Sequence, residues 1–186
     1  MRYPAAETAK KHERILGEAT RLFRDRGLTS VSVGEVMKAA GLTHGSFYNH
    51  FESKQSLVDE CVKHATVQSL TDMATGEKSA AGLDAYVANY LSAGHRDDAG
   101  NGCLMSALAS EISREPTIRP TMTHYVQSFI AGLSTHFPWP KKTNARREAI
   151  QMTATLVGAM ILARAVDDPA LSNEILDAVQ TGLITK

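Results

Sequence analysis

Apolar residues recur at helical spacing along almost the whole chain of 186 residues. Between positions 8 and 26 they stand at Ile15, Leu16, Ala19, Leu22 and Phe23, which is the stripe of an amphipathic helix. The strict alternation typical of a half-buried strand is not found over any useful length, and no unit repeats at a fixed period. The sequence therefore predicts an all-α protein of about nine helices.

Composition narrows the class of protein further. Hydrophobic residues make up 43% and charged residues 22%, as in an ordinary globular chain. Two cysteines are too few for a disulfide framework, and the N-terminal segment has no apolar leader, so we expect a cytoplasmic protein. The apolar stretch 156–166 is too short to span a bilayer and contains Arg164, which predicts no membrane association.

The charges are balanced overall, with 20 basic and 20 acidic side chains, but they are not evenly spread. The first 64 residues hold ten basic and eight acidic side chains together with four of the seven histidines. This balance favours an anionic partner for the N-terminal part, provided that the charges share one surface.

Glycine, proline and capping residues divide the chain into segments. Gly27 ends the first helix, Ser32 is the predicted N-cap of a short helix over 33–40, and Gly41 ends that helix. Thr43 is the predicted N-cap of a very short helix over 44–50, and Ser53 caps a longer one that buries Cys61. Further helices are predicted over 83–92, 103–114, 117–137, 143–166 and 169–183, with a loop over 95–102 where glycine and asparagine cluster.

The segment 39–51, AAGLTHGSFYNHF, reads as helix, glycine, short helix. Gly41 supplies the sharp turn of a helix-turn-helix. Phe47 and Phe51 lie four residues apart and are predicted to point inward together. The outer face is then formed by polar and aromatic residues, namely His44, Ser46, Tyr48, Asn49 and His50. A two-turn helix with that face suits the major groove of DNA, which admits one helix and displays hydrogen-bonding groups on base edges.

Three further residues fit contact with DNA. Gly45 lets the backbone approach closely, the Tyr48 hydroxyl can donate to a phosphate, and Lys54 can neutralise another phosphate. Taken singly, each has an ordinary explanation, such as amphipathic packing for the tyrosine and a solvated surface charge for the lysine. Their combination at this spacing is what favours a DNA-binding surface.

The block from Ile15 to Leu57, which carries the motif YNHFESK, resembles the N-terminal domain of the tetracycline-repressor (TetR) family. The resemblance covers about 45 residues and implies a DNA-binding domain over 1–54 and an effector-binding and dimerisation domain over 55–186. It implies base-facing roles for Thr43, His44, Ser46 and Asn49 and phosphate contacts for Tyr48 and Lys54. His50 would contact either a phosphate or a base, Ser30 and Ser32 would add backbone contacts, and Gly41 and Gly45 would have geometric roles. Ser46 stands where the family usually has threonine, and the substitution keeps a hydroxyl group. Lys10, Lys11 and Arg14 fit phosphates beside the site, although a solvated helix face explains them equally well.

The resemblance also implies regulation by a small molecule. The C-terminal helices would enclose an effector, whose binding would release a repressor dimer from an inverted-repeat operator. Candidate lining residues are Tyr86, Tyr90, Met105, Leu108, Tyr125 and Phe129, each of which ordinary core packing explains as well. The helices over 143–183 are the candidate homodimer interface, because Gly158, Ala159, Ala163 and Ala165 allow close helix approach; packing within one subunit is the alternative.

Two alternatives stay open at this point. Cys103 follows a glycine-rich segment at a helix N-terminus, where a thiolate is favoured, so a redox or electrophile sensor is one hypothesis and a small buried residue is the other. A DNA-binding scaffold without an effector is the second alternative. The sequence has no G-x-S-x-G, H-E-x-x-H, C-x-x-C or P-loop pattern, so we expect no enzyme, no metal site and no cofactor.

Overall fold

The computed structural model describes residues 5–184, and within them the chain forms nine α-helices, two short 3₁₀ segments and no strand. The expected all-α class is confirmed. The helices are α1 Ala5–Arg26, α2 Val33–Ala39, α3 Lys54–Thr75, α4 Ala80–Tyr90, α5 Ala93–Asp97, α6 Leu104–Ile112, α7 Arg119–His136, α8 Ala145–Ala165 and α9 Pro169–Ile184. The 3₁₀ segments are His44–Asn49 and Ala99–Asn101. No helix within 5–184 is both long and apolar enough to cross a membrane.

The N-terminal unit packs α1, α2, the segment His44–Asn49 and the start of α3 around one apolar centre. The stripe on α1 is buried as its spacing predicts, with Ile15 and Ala19 fully inaccessible to solvent. Gly41 ends α2 with a positive φ of 65°, a conformation that glycine adopts without strain. These elements form the predicted helix-turn-helix.

The C-terminal helices continue the same core. One cluster of buried side chains runs from Ile15 on α1 to Ala149 on α8, and it crosses the predicted domain boundary at the start of α3. Cys61 lies in this cluster as expected, and burial raises the pKa of its thiol to about 12. A second cluster joins α4, α8 and α9 around Leu156, Met160 and Leu176. Because apolar contacts are continuous through α1 and α3, the two units are firmly joined.

The short helix predicted over 44–50 is a 3₁₀ helix, His44–Asn49. The spacing of its residues in the sequence does not distinguish a 3₁₀ helix from an α-helix. Its hydrogen bonds span three residues: Ser46 N donates to the carbonyl of Thr43 at 3.1 Å, and His50 N donates to that of Phe47 at 2.8 Å. The Ser46 hydroxyl also donates to the Thr43 carbonyl at 2.7 Å, which reinforces the tight first turn.

The prediction of a loop over 95–102 is wrong, because that segment contains the end of α5 and the turn Ala99–Asn101. The Ser92 hydroxyl caps α5 by accepting from His95 N at 3.1 Å. Arg164 of α8 donates to the carbonyls of His95 and Arg96 at 2.6 and 3.0 Å. The local order therefore depends on a side chain far away in sequence, which local composition does not reveal.

The turn after α1 is held from two directions. Glu111 of α6 accepts from Leu28 N at 2.9 Å and from the Thr29 hydroxyl at 3.3 Å. Lys54 Nζ donates to the carbonyl of the same Leu28. Gly27 has a φ of 80° here, and a Cβ added to it would lie 2.7 Å from Glu111 Oε1. The turn thus needs glycine both for its backbone conformation and for the close approach of Glu111.

We expect Gly27→Ala to lower the free energy of unfolding by about 1–3 kcal/mol, because alanine is strained at positive φ and its methyl group displaces Glu111. Gly17→Ala is the matched control: Gly17 lies within α1 with no atom within 4 Å of an added Cβ. That change should stabilise the protein by up to about 1 kcal/mol, through better helix propensity. Denaturant unfolding measures both, and equal effects of the two substitutions would contradict the role assigned to the Gly27 turn.

Candidate nucleic-acid interface and ligand cavity

The outer face of the 3₁₀ helix is open to solvent, while its inner face is locked. Phe47 and Phe51 are 1% and 3% exposed and stack with ring centroids 5.5 Å apart, which confirms the predicted inward pair. Tyr48 is 68% exposed. The neighbours that share the outer face are Thr43, His44, Gly45 and Asn49, which are exposed, and Ser46 and His50, which are partly buried. The buried aromatic pair therefore fixes which side chains this short helix presents.

Gly45 is not required by the packing or by the backbone of the protein itself. Among the described residues, positive φ occurs only at Gly27 and Gly41, and no atom lies within 4 Å of a Cβ added at Gly45. Arg14 of α1 lies beside the turn, with its Nη2 3.9 Å from a Cβ added at Gly41. The basic side chain of Arg14 thus lies beside the turn that precedes the 3₁₀ helix, and the backbone of that helix is unobstructed at Gly45.

Three of the predicted contact residues make hydrogen bonds within the protein: Ser46, whose hydroxyl donates to the Thr43 carbonyl, and also Ser32 and Lys54. The Ser32 hydroxyl and Ser32 N both donate to Glu35 Oε2 at 2.8 Å in a capping box, so this side chain stabilises the start of α2. The Ser32 backbone hydrogen bond, followed by that from Arg26, lowers the pKa of Glu35 to about 2. Lys54 directs its ammonium at Leu28 and over the ring of Phe23, 5.8 Å from the centroid. Any phosphate contact by Lys54 therefore competes with this internal hydrogen bond.

His50 is positioned by aromatic neighbours. Its ring lies 5.9 Å from that of His12 and 6.4 Å from that of Phe51, measured between centroids. Burial lowers the pKa of His50, and the charges of His12 and Lys11 lower it further. The ring is therefore held in its neutral form near pH 7, in which it offers one donor and one acceptor rather than a positive charge.

Comparison with known proteins agrees with this geometry. Residues 15–61 match the family model described as bacterial regulatory proteins, tetR family. The repressor KstR2 of Rhodococcus jostii is 43% identical over 63 residues, which are 32% of this chain and 31% of that protein. The regulator AcrR of Shigella flexneri is 44% identical over 54 residues, or 29% of this chain and 25% of that protein. The chain therefore spans about a third or less of each of these relatives. Residues 15–61 therefore form a DNA-binding domain of the TetR type.

Solved structures extend the likeness of fold to the whole chain. Reduced NemR of Escherichia coli has a TM-score of 0.76 at 23% identity, covering 94% of this chain and 95% of that one. A TetR-family regulator from Agrobacterium tumefaciens also scores 0.76 at 23% identity, covering 95% and 97%. At this identity the likeness concerns the fold alone. The C-terminal helices are thus arranged as in these solved structures.

A cavity of about 430 Å³ lies where α1 meets the C-terminal helices. It brings together three of the six predicted lining residues, Tyr86, Tyr90 and Phe129, and places Cys103 in the same wall. The other three, Met105, Leu108 and Tyr125, are not part of its lining and are at most 3% exposed in the core. Tyr125 lies behind the cavity wall: its hydroxyl is 2.8 Å from that of Ser69, and Ser69 lines the cavity.

Several cavity residues escaped the sequence analysis, and Arg24 is the most informative of them. Arg24 comes from α1, the helix that also supports the helix-turn-helix, and burial lowers the pKa of its guanidinium. Leu16, Thr20 and Arg24 follow one another at four-residue spacing, and Leu16 and Thr20 are buried. The signal in the sequence was that a polar residue, Arg24, continues the buried stripe formed by Leu16 and Thr20. The other polar lining residues that were missed are Gln68, Ser69, Asp72, Asn89, Ser92, His95, Asp98 and Asn101.

His95 joins the cavity wall to the start of α6. Its Nδ1 lies 2.6 Å from the Tyr90 carbonyl, and its Nε2 accepts from Cys103 N at 3.0 Å. A ring that donates through Nδ1 and accepts through Nε2 is neutral. Burial lowers the pKa of His95, and the positive charges of Arg164 and Arg24 add to this effect, while the hydrogen bond to Tyr90 and the charge of Asp98 oppose it.

Cys103 is the N-cap of α6 and is half-buried, without a side-chain capping hydrogen bond. Its thiol faces the cavity beside Tyr86 and Tyr90. The predicted reactivity of this thiol stays a prediction. Within residues 5–184, no three His, Cys, Asp or Glu side chains come together in a way that would hold a metal ion.

The state of His95 leads to a pH prediction. Because its pKa is lower in the folded protein than in the unfolded chain, the unfolded state binds more protons, and stability falls as the pH drops below about 6.5. His95→Gln keeps one donor and one acceptor but does not titrate. We expect its unfolding free energy to fall less than that of the wild type between about pH 7.5 and about pH 5 in urea titrations. His124→Gln, at an exposed position of α7, is the control and should keep the wild-type slope; an identical slope for His95→Gln would contradict the assignment.

Proposed function

We propose that this chain is a DNA-binding transcriptional regulator that reads the major groove with the 3₁₀ helix His44–Asn49 and the residue before it. The observation that carries the proposal is the combination of an exposed Tyr48 with Gly45, which the fold itself does not require. A hydroxyl on the outer rim suits a phosphate oxygen, and an unsubstituted backbone suits close approach to bases. We assign base-facing roles to His44, Ser46 and Asn49, and a phosphate-facing role to Tyr48.

One such helix covers only a few base pairs, so we propose a two-fold dimer that reads an inverted repeat. Exposed apolar side chains support α8 and α9 as the interface: among the described residues, six large hydrophobic side chains are exposed, and four of them lie on these two helices. The four are Ile150, Ile161, Leu162 and Leu171. Gly158 and Ala165 fit close helix approach from outside, whereas Ala159 and Ala163 are buried within their own subunit.

We further propose that a small molecule in the cavity controls DNA binding. Repression with release by the effector is the mode we favour, since KstR2 is named as a repressor. The cavity volume lies within the range of small-molecule sites, and its wall includes α1 of the DNA-binding unit. A sensor that acts through the Cys103 thiol is the second candidate, favoured by the position of Cys103 in the same wall. The proposed mechanism has no catalytic step.

The DNA-binding surface is tested with variants that leave the fold intact. Wild-type protein first enriches duplexes from a random-sequence library. Tyr48→Phe and Gly45→Ala should each weaken binding by about tenfold, through loss of a phosphate hydrogen bond and through a methyl group at the contact. Tyr48→Phe should affect enriched and unrelated duplexes alike, whereas His44→Ala should change the preference among duplexes.

Binding isotherms and melting temperatures are recorded for every variant. Gly17→Ala, which also adds a methyl group in open space, is the control and should bind as the wild type does. Failure of the wild-type protein to enrich any duplex at low salt would sink the proposal. Wild-type affinity in all three site variants would instead show that the surface is misassigned.

The interface is tested by sedimentation of the wild type and of Leu162→Glu. We expect the wild type to sediment as a dimer, with twice the chain mass. The variant dimer should dissociate into monomers at protein concentrations at least about tenfold higher than the wild-type dimer does, because its interface would bury an unpaired charge. Val67→Glu is the matched control, since Val67 is 66% exposed on α3 and Leu162 is 57% exposed on α8. A monomeric wild type, or dissociation caused by Val67→Glu alone, would contradict the assignment.

A further inference from the structure

We infer that the cavity binds a small aromatic monocarboxylate, whose carboxylate is held by Arg24 and the Tyr90 hydroxyl. This inference rests on the proposed function in that it names the chemical class of the effector. Its evidence is the set of polar groups in the cavity wall that the protein leaves without partners.

Arg24 is the first of these groups. Its Nε is buried and has no hydrogen-bond partner, and no ion pair to Arg24 is formed within residues 5–184. A guanidinium N–H that is buried without an acceptor is destabilising. The planar fork of arginine matches a carboxylate, which would accept two hydrogen bonds and neutralise the charge.

Tyr90 is the second. It is 7% exposed, its ring lies 4.6 Å from that of His95, and its buried hydroxyl has no oxygen or nitrogen hydrogen-bond partner among the described residues. After burial, the thiol of Cys103 is the group that most raises the pKa of Tyr90, and a thiol is a weak hydrogen-bond partner for a hydroxyl. Buried polar groups are normally paired, so two unpaired donors in one cavity indicate a ligand that supplies acceptors.

The charges around the cavity limit the ligand to one negative charge. Among the described residues that line the cavity, Arg24 alone carries a full positive charge, because His95 is neutral and Arg164 lies behind the wall, where it donates to the His95 carbonyl. Asp72 and Asp98 also line the cavity and are both exposed, and Asp98 accepts from Asn101 Nδ2 at 2.9 Å. A dianion such as phosphate would meet two carboxylates and one guanidinium, and a cation would meet the guanidinium directly. A monoanion avoids both conflicts.

The rest of the ligand is defined by the rings in the wall. Tyr86, Tyr90 and Phe129 line the cavity and provide aromatic surface, and the volume of about 430 Å³ has room for a substituted ring. Edge-to-face and stacked contacts with these side chains favour an aromatic body over a saturated one of equal size.

Binding at Arg24 has a direct route to the DNA-binding unit. Arg24 lies in the last turn of α1, just before Gly27 and the turn that Glu111 and Lys54 hold. A ligand that draws the guanidinium into the cavity changes the position of that turn, and with it the helix-turn-helix. The ligand need not contact the DNA-binding surface to alter it.

The probes are benzoate, phenylacetate and salicylate as carboxylates, benzamide as the neutral counterpart, benzylamine as the cation and inorganic phosphate as the dianion. Calorimetric titration without DNA is performed on the wild type, Arg24→Met, Tyr90→Phe, Asp72→Asn and Arg119→Met. Arg119 is exposed on α7 and outside the cavity, so Arg119→Met is the matched control.

We expect the wild type to bind at least one carboxylate more than about tenfold tighter than benzamide, with no binding of benzylamine or phosphate. Arg24→Met should weaken the carboxylate by about tenfold or more and Tyr90→Phe by less, whereas Arg119→Met should have no effect. Asp72→Asn should tighten binding, since it removes a competing negative charge near Arg24.

Equal affinity for benzamide and the carboxylates in the wild type overturns the inference without any variant, as does the absence of binding by all three carboxylates at millimolar concentration. Unchanged carboxylate affinity in a folded Arg24→Met protein overturns the role of Arg24. Because these titrations contain no DNA, carboxylate binding by a protein that enriches no duplex would refute the proposed function and leave the ligand class standing.

Discussion

The backbone of Leu28 makes two hydrogen bonds that join the two units of the molecule. Its N–H donates to Glu111 of α6 and its carbonyl accepts from Lys54 of α3, so one residue is bonded to both the C-terminal helices and the base of the helix-turn-helix. The turn is possible because Gly27 takes a positive φ and leaves room for Glu111. With the apolar core continuous from α1 to α8, the end of α1 is packed against residues of both units.

Helix α1 therefore belongs to both halves of the molecule. Near its start His12 packs on Phe51, with ring centroids 4.6 Å apart, and near its end Arg24 lines the cavity. The opposite wall is held by Arg164, which donates to the carbonyls of His95 and Arg96 and to Ser106. One wall is thus hydrogen-bonded to α8, which belongs to the proposed interface. The other is formed by α1, which also packs against the proposed DNA-facing surface. A ligand between them has contact with elements of both.

The sequence predicted those parts of the structure that depend on local pattern. The α1 stripe, the Phe47 and Phe51 pair and the glycine turns follow from spacing and backbone preference, and all were found as expected. Contacts distant in sequence were not accessible in this way. The order of 95–102 depends on Arg164, and the direction of Lys54 depends on the carbonyl of Leu28. Three of the six predicted cavity residues are core instead, because helical spacing shows that a side chain points inward but not whether it meets a cavity.

The residues with no internal role carry the most functional information. Gly27 and Gly41 are explained by positive φ, whereas Gly45, like Gly17 on α1, has neither an unusual backbone conformation nor a close neighbour; what distinguishes Gly45 is its place beside the exposed Tyr48. Buried arginine and tyrosine groups are ordinarily paired, yet Arg24 Nε and the Tyr90 hydroxyl are not. Folding alone selects against an unpaired buried donor and, weakly, against glycine within a helix. Their presence at two surfaces that share α1 is consistent with selection for two partners, DNA at one surface and a small anion at the other.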